Sequence, residues 1–186
     1  LSSSSAASDV YKRQAYKLTS NPLILVAEAG LAGLFLGHIA LAVLLRLENI
    51  AARPQKYFKK VKTGRGETFA SSTMPYTGMI LLIFVVLHLL NFKFGSEYPT
   101  TVDGVDMRDL YRTVVEYFAN PFYVAWYIFA MITFGIHTSH GVQSTFQSIG
   151  FNHPKYTPII KIASGFYGFL VTIGFSAMAI FCHFQN

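Results

Sequence analysis

Residues 22–45 read PLILVAEAGLAGLFLGHIALAVLL, with one acidic residue, Glu28, one histidine, His38, and no lysine or arginine. A surface helix of a water-soluble domain shows an apolar stripe and a polar face; this stretch is apolar all round. It fits a helix crossing a hydrocarbon core of about 30 Å, which takes roughly 20 residues. Three further stretches have the same character: about 74–92, 121–142 and 158–184. Pro22, Pro75, Pro121 and Pro158 each stand near a segment start, where proline costs a helix least. No alternation typical of strands and no internal repeat is evident. Backbone groups in lipid must be satisfied within the segment, so the spans should be helices. The expected fold is all-α, an integral membrane bundle of four transmembrane helices.

Composition agrees. The 186 residues are 52% hydrophobic and 13% charged, against about 25% charged in a soluble domain. Cys182 is the only cysteine, which excludes an internal disulfide and a cysteine metal cluster. The net charge of +6 is not a nucleic-acid footprint, because the basic residues gather in one loop. Arg46, Arg53, Lys56, Lys59, Lys60, Lys62 and Arg65 stand between the first two spans with only Glu48 and Glu67. The next loop carries Lys93, Arg108 and Arg112 against Glu97, Asp103, Asp106, Asp109 and Glu116. Lysine and arginine mark the cytoplasmic side, so the first loop is expected inside, with the first and third spans running inward. Lys155 and Lys161 flank the other inner loop. The basic run also offers a surface for a cytoplasmic partner.

Residues 1–14 are Ser/Ala-rich and end in Tyr11-Lys12-Arg13-Gln14. They read as an adaptor or cloning remnant, not as a signal peptide or span, leaving 15–186 as a single transmembrane domain.

Ionisable side chains within a membrane are costly and usually functional. His38 and His137 each lie sixteen residues beyond the proline that opens their span, Pro22 and Pro121. Both spans run inward, so the two imidazoles should share one level in the inner half of the bilayer. A bis-histidine haem needs that placement, one imidazole on each side of the iron. His88 lies fourteen residues after Met74 on an outward-running span, roughly 21 Å from the inner end. It needs another partner, either His183 or a residue from a further helix. His140 is a secondary candidate, near a haem propionate or water. Gly141 and Ala42, one turn beyond His137 and His38, would let a macrocycle lie close to the backbone, though ordinary helix packing favours small residues equally. His153 reads as a loop residue. Glu28, the one acidic residue inside a span, is a candidate proton relay on the quinone side; a hydrogen bond to a neighbouring helix would explain it as well.

Three stretches, His38 late in its span, TGMILLIFVVLH ending at His88, and His137-Thr-Ser-His-Gly141, make the sequence resemble the dihaem cytochrome b subunit of succinate:quinone oxidoreductases, the single-anchor type with five helices. The resemblance implies an inner haem on His38 and His137 and an outer haem on His88. It favours His137 over His140 as ligand. The family's first helix and its histidine have no counterpart here, implying a start further upstream and leaving His88 without its partner. Some members carry a glutamate where Gly135 stands, so a proton path there is not expected. The resemblance further implies two haem b groups, menaquinone or another quinone as substrate, and cytoplasmic flavoprotein and iron–sulfur subunits as partners. It places the chain in a bacterial cytoplasmic membrane, with no succinate site of its own. Two other readings compete: the cytochrome b subunit of a formate dehydrogenase, hydrogenase or nitrate reductase, and a haem-free, proton-coupled transporter. The transporter lacks the expected pair of broken helices.

Overall fold

The computed structural model describes residues 2–52 and 69–185. Among these, six α-helices and one hairpin follow in order. They are α1 (Ser2–Thr19), α2 (Leu23–Ala51), α3 (Phe69–His88) with a π-helical turn (Leu89–Lys93), β1 (Pro99–Val102), β2 (Val105–Arg108), α4 (Leu110–Phe118), α5 (Pro121–Ser148) and α6 (Thr157–His183). Four helical stretches, Leu23–Ala51, Ser71–Lys93, Pro121–Ser148 and Thr157–His183, are long and apolar enough to cross a membrane. The protein is an all-α, multi-pass membrane bundle. Arg53, Lys56, Lys59, Lys60, Lys62, Arg65 and Glu67, which carry most of the topology argument, lie outside the described residues.

Residues Ser2–Thr19 form α1. Two elements depart from the sequence expectation. The connection between α3 and α5 holds a hairpin and the short helix α4, where no strand was expected. Pro75 does not open its span, because α3 begins six residues earlier, at Phe69. Proline inside a membrane helix is tolerated when neighbouring groups satisfy the freed carbonyls.

The chain divides into two compact units, Leu1–Gly66 with Thr100–Arg108, and Glu67–Pro99 with Asp109–Asn186. In the first, α2 has no buried residue, and Leu34 is 76% exposed, so this helix is apolar on every face. The hairpin turns on Asp103 and Gly104, at φ 51° and 76°. Positive φ at both central positions is the tight turn that suits the twist of two antiparallel strands. Thr101 Oγ1 donates to Asp106 Oδ1 at 2.6 Å across it, and Arg13 forms an ion pair with Asp103.

In the second unit α5 lies between α3 and α6 and packs against both. Asn120 caps α5, accepting from the Phe122 amide at 2.9 Å, with Pro121 in the first turn. Opposite α6 the backbones come very close. A Cβ built on Gly135 would lie 2.6 Å from the Gly168 carbonyl oxygen, and one on Gly168 would lie 2.9 Å from Ser139 Cβ. Thr172 Oγ1 donates across the same contact to the Met131 carbonyl at 3.2 Å. Small residues that admit this approach are how membrane helices gain dispersion contacts without a hydrophobic driving force. The outward faces stay apolar and uncovered, with Ile162 73% and Phe122 84% exposed, as a lipid-facing surface requires. A core of Phe118, Val124, Tyr127 and Ala179 closes the end of the bundle that carries α4.

Beside α4, Arg112 Nε donates to Glu116 Oε1 at 2.7 Å, and the guanidinium lies 4.2 Å from the Tyr98 ring centroid. A hydrogen bond from Tyr98, then one from Arg112, holds the Glu116 carboxyl below its ordinary range. A carboxyl lowered in the folded state stabilises fully above its unfolded pKa, about 4.3. That contribution disappears as pH falls through the lower folded value. Hydrogen exchange of the Tyr98 and α4 amides should therefore be flat from pH 7 to about pH 4.5, after correction for intrinsic exchange, and then accelerate below it. A Glu116→Gln protein should lose that acid-side step; an unchanged profile would rule out the carboxylate as its cause.

Candidate haem ligands and their hydrogen-bond partners

Three histidines of the second unit, His88, His137 and His183, are each tied to an oxygen through Nδ1. His137, midway along α5, has Nδ1 3.0 Å from Thr77 Oγ1 on α3. His88, the last residue of α3, has Nδ1 2.9 Å from the Tyr127 hydroxyl on α5. His183, ending α6, has Nδ1 2.8 Å from the Phe118 carbonyl oxygen. Where Nδ1 carries the proton of such a bond, Nε2 keeps the lone pair that a metal takes, the usual arrangement of a metal-bound histidine.

The cross-helix bonds also fix the register of α3 against α5. Thr77 meets His137, His88 meets Tyr127, and Asn91 Nδ2 donates to the Tyr123 hydroxyl. Eleven residues along α3 from Thr77 to His88 are matched by ten back along α5 from His137 to Tyr127. The two helices are therefore antiparallel, and the levels of His137 and His88 differ by roughly 16 Å at 1.5 Å per residue. Just after His88 the helix widens into the π-turn Leu89–Lys93, a distortion frequent at functional sites. It carries Asn91 to Tyr123. His88 itself sits among rings, with Phe84 at 5.7 Å, Phe92 at 5.2 Å and Tyr127 at 6.1 Å between centroids.

Space and polarity near these residues bear on a large cofactor. Gly78 leaves the backbone of α3 bare beside His137, where an added Cβ would stand 3.6 Å from Cε1. Nothing lies within 4 Å of a Cβ built on Gly141. Trp126 Nε1 and Ser176 Oγ are buried without a hydrogen-bond partner. Counting from the Thr172–Met131 contact, four residues along α6 and five back along α5, both fall near the level of Tyr127. Among the described residues no three of His, Cys, Asp and Glu gather as ligands for a bare metal ion. A porphyrin supplies four nitrogens itself and asks the protein for one imidazole on each face. His137 on α5 and His88 on α3 are each an imidazole of the kind such a group takes, engaged at Nδ1 by a hydroxyl of the other helix.

The other sequence candidates are placed as follows. His38 and Glu28 both lie on α2, in the first unit, and both are exposed. His140 is half-buried, three residues beyond His137. His153 shapes the start of α6: its amide donates to Thr157 Oγ1 at 3.1 Å, and its Nδ1 accepts from the Lys155 amide at 3.1 Å. Thr77 and Tyr127 went unnoticed in the sequence reading. Nothing in a single apolar stretch distinguishes a threonine or tyrosine that meets a histidine from one that meets lipid.

A family model for the succinate dehydrogenase/fumarate reductase transmembrane subunit matches residues 52–175, about two thirds of the chain. The matched stretch includes His88, His137 and His140 and begins after the described part of α2 that carries His38. No curated protein and no solved structure matches the chain.

Proposed function

Because the chain belongs to the succinate dehydrogenase/fumarate reductase transmembrane subunit family, a membrane subunit of an oxidoreductase complex, we propose that its histidines hold b-type haem and conduct electrons between an iron–sulfur subunit and membrane quinone. The observation that carries this reading is the pair of imidazoles on α3 and α5, each held at Nδ1 by a hydroxyl of the other helix. Their levels differ by roughly 16 Å along the pair, so they serve two different irons. Haem bound at these levels would supply one-electron transfer across the membrane.

His137 and His38 would hold the inner haem, and His88 would hold the outer one. His140, three residues beyond His137, would be a secondary contact to a propionate or water, and Gly141 would leave room for the macrocycle. The orphaned Trp126 Nε1 and Ser176 Oγ, near the level of His88, suit a ligand bearing oxygen acceptors, such as a propionate or a quinone carbonyl. Glu28 stands on α2 as a proton relay for quinone oxidation and reduction, menaquinone being the proposed substrate. Glu28→Gln should slow quinol turnover and leave the haem spectrum unchanged. The flavoprotein and iron–sulfur subunits dock on the cytoplasmic face of a bacterial inner membrane, where the basic residues between Arg46 and Arg65 in the sequence offer a counter-charge.

The test is a dithionite-reduced minus oxidised spectrum of the purified membrane protein. A b-type α-band is the expected result, with a second haem where a further helix supplies the partner of His88; its absence ends the haem reading and favours the proton-coupled transporter. Reduction of that band by succinate, and not by formate or hydrogen, in the isolated complex separates this assignment from the other membrane cytochromes b.

A further inference from the structure

The Thr77 hydroxyl has two carbonyl oxygens of its own helix within reach, Thr73 O at 3.2 Å and Met74 O at 3.1 Å, besides His137 Nδ1 at 3.0 Å. A hydroxyl has one proton to give and two lone pairs to accept with. With the proton directed into the preceding turn of α3, Oγ1 accepts from Nδ1–H of His137. Neutral imidazole protonated at Nδ1 carries its lone pair on Nε2, which is the form a metal takes. Pro75 sits in that same turn and has no amide to give to the turn before it. Thr77 is itself buried, so water does not compete for the bond.

We infer that Thr77 is a positioning residue, which fixes the tautomer and ring orientation of His137 and so tunes the haem that His137 serves. The inference rests on the haem reading of the preceding subsection and adds a residue to it that ligates nothing. The hydrogen bond from Nδ1 makes the imidazole a stronger donor at Nε2. A stronger axial donor favours ferric over ferrous iron and lowers the reduction potential, one of the ways a protein sets haem potentials. Gly78, adjacent to Thr77, places no side chain against Cε1 of the ring. His88 and Tyr127 repeat the arrangement on the same two helices with the roles reversed, histidine on α3 and hydroxyl on α5.

The experiment compares Thr77→Val, which keeps the shape and removes the hydroxyl, with Thr77→Ser, which keeps the hydroxyl. Both are purified as the full chain in its complex. Pyridine haemochrome gives haem content, and a redox titration followed optically gives the midpoint potential of each haem. Thr77→Val should raise the potential of one haem, with up to about a tenfold change in its reduction equilibrium, ~59 mV for one electron. The other haem is the internal control and should not move. Thr77→Ser should restore the parent value. Potentials unchanged in Thr77→Val, or both haems shifted equally in either variant, overturn the inference. A parent protein without b-type haem defeats the haem reading itself, before any variant is compared.

Discussion

A His137→Ala protein should lose one b-type haem completely and retain the other, halving haem per chain by pyridine haemochrome. His137 projects from α5 at the level of Thr77, and His88 projects from α3 at the level of Tyr127, roughly 16 Å further along the pair. On the proposed ligation, an alanine at 137 therefore takes a ligand from one iron and leaves the surroundings of the other untouched. His88→Ala should give the complementary loss, sparing the haem that His137 holds. His38→Ala should remove the same haem as His137→Ala, because the two imidazoles are proposed to face one iron. His140→Ala discriminates between the neighbours in the His137-Thr-Ser-His140 run: both haems should survive it. Retention of both haems in His137→Ala, with loss in His140→Ala, would move the ligand by three residues. Retention in both would remove α5 from the coordination scheme altogether.

Replacing Gly135 or Gly168 should strongly destabilise the contact between α5 and α6. At Gly135 a Cβ would lie 2.6 Å from the carbonyl oxygen of Gly168, an obstacle of backbone that no side-chain rotation can clear. Either α5 and α6 separate, losing the Thr172–Met131 bond and the packing around it, or the helices bend. Overpacking of this kind costs on the order of 3 kcal/mol, and Gly135→Val should cost more than Gly135→Ala. Gly165→Ala is the matched control, since nothing lies within 4 Å of the added Cβ. A detergent thermal melt should show a clear drop in midpoint for the two contact glycines and almost none for Gly165. Equal melting of all three would mean that the close approach of α5 and α6 is not a feature of the folded protein.

The hairpin between α3 and α4 shows a signal that was present and unread. Asp103-Gly104, between the flanking residues of TTVDGVDM, is a strong local marker of a tight two-residue turn. A membrane span shows itself only over about 20 residues, a length over which four-residue strands vanish. Helix α4 was hidden for a similar reason. It is nine residues long, too short to cross a bilayer, and its cap, Asp109 accepting from the Arg112 amide at 3.0 Å, is visible only when the loop is examined for itself. Pro75 misled in the opposite direction. Near the edge of an apolar run it resembled a helix start, but the polar residues before it, Ser71, Ser72 and Thr73, continue the helix.

By itself the sequence determined which segments cross the membrane and which of them carry histidine, because span length and the cost of a buried polar group are local properties of one segment. The equal offset of His38 and His137 from their opening prolines was legible for the same reason. The tertiary structure alone decided that α3 meets α5 in the register pairing Thr77 with His137 and Tyr127 with His88, and that α5 touches α6 through bare glycine backbone. Register is a property of two surfaces fitted together. It depends on where small residues let backbones approach and where one hydroxyl finds one imidazole, and hydropathy along a single helix is blind to both.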